Sequence, residues 1–148
     1  MNIPFLIPLL VLSQFGNGSV FSLKGDKYNP ENQPLACESI LIKRHGRSSF
    51  KKMMYYGVAH RTIPCGTELK LCVDKKNNFK CSKAYVIDRG PYGVVYQHKK
   101  KKRWRMFRKL PRGKRYRGIV DVLSPLASRL RVSGIFQAFI FMNKNKIY

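Results

Sequence analysis

Acidic residues are scarce. The 148-residue chain has seven Asp or Glu against thirty Lys or Arg, a formal charge of +23. So large an excess opposes compaction through self-repulsion and draws the protein toward polyanions, whether nucleic acid, anionic lipid or phosphate-rich wall polymers. Charge alone does not choose among them. Paired Cys-x-x-Cys spacing is also missing, so Cys37, Cys65, Cys72 and Cys81 do not read as a zinc site, and the pattern calls for no metal or cofactor. No apolar stretch reaches the roughly 20 residues that a membrane-crossing helix needs, so no transmembrane span is expected. No internal repeat is visible, and no lipid-anchored start is supported, because no cysteine precedes Cys37.

What is present fits one globular domain of modest core, with 44% apolar residues. An even cysteine count in a small basic chain fits two disulfides and an oxidising compartment; four cysteines leave three pairings open. The apolar run Ile3–Leu12 has the length of a signal-peptide core, although no Lys or Arg precedes it and no Ala-x-Ala follows. Small residues at Gly16, Gly18, Ser19 and Ser22 offer places for cleavage. The expected organisation is therefore a leader over 1–22, a Pro/Asn/Gly-bearing linker over 23–35, a domain over 36–142 and a tail over 143–148, and the destination is outside the cytoplasm.

Within the domain, Ala36–Lys52 shows little periodicity and reads as loop, with one short strand at most. Met53–Ala59 is aromatic-rich and predicts a strand. Glu68–Val73 puts Leu69, Leu71 and Val73 on one face, the pattern of a half-buried strand. Asp74–Asn78 is turn chemistry, and Phe79–Asp88 predicts the returning strand; Cys72 and Cys81 flank that turn. Gly118–Val122 restores order. Ser124-Pro125 marks a helix start, with Leu126, Ala127 and Leu130 as its apolar face and Gly134 as its end. Ile135–Met142 predicts a last strand buried on both faces.

Three segments, Gly57–Thr67 (GVAHRTIPCGT), Val86–Tyr92 (VIDRGPY) and Val120–Ser124 (VDVLS) with the helix and Val132-Ser133-Gly134 behind it, resemble the rare lipoprotein A family in content and order. The resemblance spans about Ala36 to Phe141. It implies a mainly β fold, a six-stranded double-psi β-barrel related to expansin and barwin-like domains, with one short helix. It implies a Cys37–Cys65 bridge, which leaves Cys72 with Cys81. Some members are lytic transglycosylases that cut peptidoglycan glycan strands, and on that footing Asp88 is the expected acid/base, His60 its hydrogen-bonding or substrate-positioning partner and Asp121 a second carboxylate. Arg61, Arg89, Tyr92 and Trp104 are expected substrate contacts. In place of the glutamate that many catalytic members carry before the histidine, this chain has Arg47-Ser48-Ser49-Phe50.

Lys99–Arg117 interrupts the resemblance as a basic loop insertion, with twelve Lys or Arg, no acid, and Trp104, Phe107 and Tyr116 among them. Such a block is ordinarily a solvated loop; near a cleft between Asp88 and Asp121 it is expected to dock on anionic wall polymers. Three functions compete: a peptidoglycan-cleaving enzyme, a non-catalytic wall-binding module, and a nucleic-acid binder whose aromatics stack on bases. Export disfavours the last, and a monomer working on peptidoglycan strands is the favoured reading.

Overall fold

The computed structural model describes residues 10–21, 35–75, 78–91, 94–97, 104–107 and 116–143. Six strands close into a mixed barrel, β1 (Leu10–Phe21), β2 (Gly57–Ala59), β3 (Glu68–Lys75), β4 (Asn78–Asp88), β8 (Val120–Leu123) and β9 (Ile135–Asn143). Around the ring they run β1-β8-β2-β4-β3-β9. Two pairs, β1–β8 and β2–β4, are parallel, and the rest are antiparallel. This topology is compatible with a double-psi barrel.

Alternation builds the interior. Val58, Leu69, Leu71, Val73, Val86, Val120, Val122, Ala138 and Ile140 point inward and are buried. β-Branched side chains suit such a pleated, packed wall. The final strand alternates too: Phe136, Ala138, Ile140 and Met142 are buried while Ile135, Gln137, Phe139 and Phe141 are not. The expectation of a strand buried on both faces is thus corrected; its outward aromatics form part of the outer wall.

β1 is the largest departure from expectation. Residues 10–21 lie in the ring, with Gly18–Phe21 beside Val120–Leu123 and Leu10–Ser19 beside Ile135–Asn143. The expected leader overlaps this strand, and cleavage between Gly16 and Ser22 would open the barrel. Gly18 has a packing role in this strand, since a Cβ there would lie 2.5 Å from the Phe136 ring.

The stretch expected to be loop forms two helices, α1 (Glu38–His45) and α2 (Arg47–Met54), separated by Gly46 at φ 87°. Leu41 and Phe50 anchor them on the core. Each is eight residues long, too short for a 3.6-residue period to repeat convincingly. Only Gly57–Ala59 of the expected Met53–Ala59 strand is extended, because Met53 and Met54 finish α2. The third helix, α3 (Ser124–Leu130), buries Leu126, Ala127 and Leu130. It ends at Arg131, which takes the left-handed conformation at φ 53°, before Gly134 is reached.

The insertion carries more order than a loop. The backbones of β5 (Val94–Gln97), β6 (Trp104–Phe107) and β7 (Tyr116–Arg117) pair antiparallel in the order β6-β5-β7, apart from the barrel. Two disulfides are formed, Cys37–Cys65 and Cys72–Cys81. The first ties the α1 entry to the turn after β2, and closing its 28-residue separation contributes on the order of 3–4 kcal/mol in the chain-entropy view. Among the described residues, no helix is long and apolar enough to cross a membrane.

Candidate carboxylate site

Strand register brings the two expected carboxylates together. Ala59 on β2 is opposite Asp88 on β4 and opposite Asp121 on β8, and Asp121 is in turn opposite Ser19 on β1. On β8, Asp121 alternates with the inward-facing Val120 and Val122, whereas on β4 Asp88 lies two residues past the inward-facing Val86. Two strand spacings separate the aspartate Cα atoms, about 10 Å, and the residue between them is the small Ala59. A β-bulge between Val58 and Ala59 sets this alignment, matching Ala59 with Asp88 instead of Ile87.

The two carboxyls have different surroundings. Asp88 accepts the Ala36 amide at 2.7 Å, and the neighbouring Cys37 amide reaches the Ile87 carbonyl at 3.2 Å. The Cys37–Cys65 bridge holds that segment in place. Asp121 accepts the Ser19 hydroxyl. Burial raises the Asp121 pKa; the Ser19 hydrogen bond lowers it, the Asp88 charge raises it again, and Arg61 lowers it, with a net displacement upward. A carboxyl that keeps its proton more readily than usual therefore stands two strand spacings away from a second carboxyl.

His60 directly follows Ala59 and is buried. It is 2% exposed. Its Nδ1 accepts the amides of Thr62 (3.1 Å) and Ile63 (2.9 Å), which leaves the proton on Nε2 to donate to Gln14 Oε1 at 2.6 Å. Gln14 is paired with the inward-facing Ile140. Burial, Arg61 and Arg89 lower the His60 pKa to about 4, so the ring is neutral near pH 7. Its link to Asp88 runs through the backbone, His60 N–H to the Asp88 carbonyl at 3.1 Å.

The expected substrate contacts divide as well. Arg61 Nη1 donates to the Pro91 (2.8 Å) and Gly118 (2.6 Å) carbonyls, joining the two roots of the insertion beside the carboxylates. Arg89 turns into the loop after β2, donating to the carbonyls of His60 and Ile63 and to Cys65 Sγ at 3.3 Å. Tyr92 lies outside the described residues. Trp104 opens β6, and only its backbone is placed. Sequence reasoning missed Ser19 and Gln14 as site residues, both within the expected leader. It also missed the Ala36 amide, for which no side-chain signal exists. Among the described residues, no three His, Cys, Asp or Glu side chains gather to hold a metal ion. No protein-family model matches the chain, and no curated protein matches it.

Proposed function

We propose that the protein binds peptidoglycan glycan strands across the Asp88–Asp121 row and cleaves them as a lytic transglycosylase. The observation that carries this reading is the pairing of two unlike carboxyls across Ala59, one of them with a raised pKa. The resemblance to rare lipoprotein A supplies the substrate class. The electrostatics favour Asp121 as the proton holder, whereas the motif alone pointed to Asp88. In this scheme Asp121 protonates the glycosidic oxygen as the bond to the anomeric carbon breaks. The sugar's own 6-hydroxyl attacks that carbon, and the Asp121 carboxylate takes the hydroxyl proton. One working acid/base suffices, because the substrate supplies the nucleophile. The neighbouring Asp88 carboxylate helps hold the Asp121 proton. His60 acts as a positioning residue, fixing the Ala59–Ile63 turn.

The two disulfides fit an oxidising compartment, and we place the protein in the periplasm, wall or extracellular space. The basic insertion, rooted at Arg61 beside the row, is the docking element for anionic wall polymers. Digestion of purified sacculi, with mass spectrometry of the chain ends, tests the reading. Anhydro-sugar ends are expected from the native chain, with a loss of roughly 100-fold or more in Asp121→Asn and a smaller loss in Asp88→Asn. Absence of such ends, or ends unchanged in Asp121→Asn, refutes it. A second reading, a non-catalytic wall-binding module, is favoured by the absence of an acid at Arg47–Phe50 and by the use of Asp88 as an acceptor for Ala36. It predicts sacculus binding that survives both substitutions without any cleavage.

A further inference from the structure

Six large apolar side chains among the described residues are more than a third exposed, and four of them, Leu10, Leu12, Phe15 and Phe79, share one wall of the barrel. Register builds this wall. Leu12 is opposite Phe141, and Phe141 is opposite Lys70; Phe15 is opposite Phe139, and Phe139 is opposite Cys72; Asp74 stands between Gln137 and Phe79. Ring contacts join the rows, Phe15 to Phe139 at 4.9 Å and Phe139 to Phe79 at 5.4 Å. Phe15 and Phe79 are nonetheless 57% and 54% exposed. A continuous aromatic stripe of this kind marks a contact surface, since isolated exposed apolar residues are ordinary but contiguous ones are not.

Charge selects the occupant. Lys70 Nζ lies 6.0 Å from the centre of the Phe141 ring, and Lys83 is opposite Lys70 on the next strand. Asp74 is the one acid in these rows. A second copy of the chain would bring another +23 against the first. An anionic bilayer brings the opposite sign, and it offers a headgroup boundary where Phe and Leu settle while lysines stay at the lipid phosphates. We propose that this wall docks the barrel on an anionic lipid surface. β9 stands across the ring from β2, so the docked barrel turns the Asp88–Asp121 row away from the lipid. This inference is independent of what that row does.

Co-sedimentation of the full chain with vesicles tests it. One set is phosphatidylcholine alone, and the other contains phosphatidylglycerol as well. Binding to the anionic vesicles is expected, and it should weaken roughly tenfold or more in Phe15→Ser/Phe79→Ser, where two rings no longer enter the interface. Leu12→Gln, at an exposed position, should weaken binding in the same direction and guards against a folding defect in the double variant. Three outcomes overturn the proposal: no binding by the native chain, equal binding by folded variants, or a native dimer in sedimentation that Phe15→Ser/Phe79→Ser converts to monomer.

Discussion

Both nitrogens of the His60 ring are committed, and the consequence is a pH-dependent fold. The unfolded ring has its ordinary pKa of 6.5 and the folded ring about 4, so as pH falls the unfolded chain takes up the proton first. The contribution of the neutral ring is complete above about pH 6.5 and is lost as pH falls toward 4, up to about 3 kcal/mol across that window. Asp121 works with the opposite sign: its raised pKa lets the folded carboxyl hold a proton that the unfolded one has released, which favours the fold as pH falls. Urea unfolding at pH 7.5 and 4.5 should therefore show lower stability at the lower pH in the native chain. The difference should grow in Asp121→Asn and shrink in His60→Asn; an unchanged difference in both variants would contradict this assignment. At this scale the sequence was half legible. Asp88, His60 and Asp121 stood out because motif order marked them. Their partners did not: Gln14 and Ser19 are ordinary polar residues made important by register, and an amide such as that of Ala36 leaves no trace in composition.

The elements best read in advance were those whose pattern is local. Glu68–Val73 alternates cleanly and Ser124-Pro125 starts α3, so β3 and α3 follow from short-range physics, while the middle of the expected Asp74–Asn78 turn lies outside the described residues. Elements that depend on distant partners are harder to read. β1 is an apolar, glycine-bearing strand, and its fate is decided by β8 and β9 more than a hundred residues later. Apolar residues with small neighbours also describe a signal peptide, and no local feature separates the two. The strand makes a sharp test of the fold. A side chain at Gly18 must displace the Phe136 ring in the buried layer, and overpacking of that kind costs about 1–3 kcal/mol. Gly18→Ala should lower the thermal midpoint accordingly, and Gly18→Val should lower it further. Gly46→Ala tests the other use of glycine: nothing lies within 4 Å of its Cβ position, yet φ is 87°, so only backbone strain is at issue and the loss should be smaller than in Gly18→Val.

For the whole molecule, the governing tension is between a closed barrel of ordinary apolar content and a charge of +23. Much of that charge is separable. Pro91 and Gly118 meet at the base of the insertion, where a Cβ on Gly118 would lie 3.1 Å from the Pro91 ring and where Arg61 binds both carbonyls. Because the roots already touch, a short turn can replace residues 92–117 without straining β4 or β8. Those 26 residues hold twelve Lys or Arg and no acid, so the shortened chain carries +11. Relief of self-repulsion should raise the thermal midpoint most at low ionic strength, and the gain should fade as added salt shortens the screening length to about 8 Å or less. Polyanion binding should respond in the opposite direction. Fewer counterions are released, so the salt dependence of binding to an anionic wall polymer becomes shallower. A shortened protein that melts lower at every salt concentration would instead show that the β5–β6–β7 sheet braces the barrel, and Arg61 would then serve as a structural tie and no longer as the hinge point of a detachable docking element.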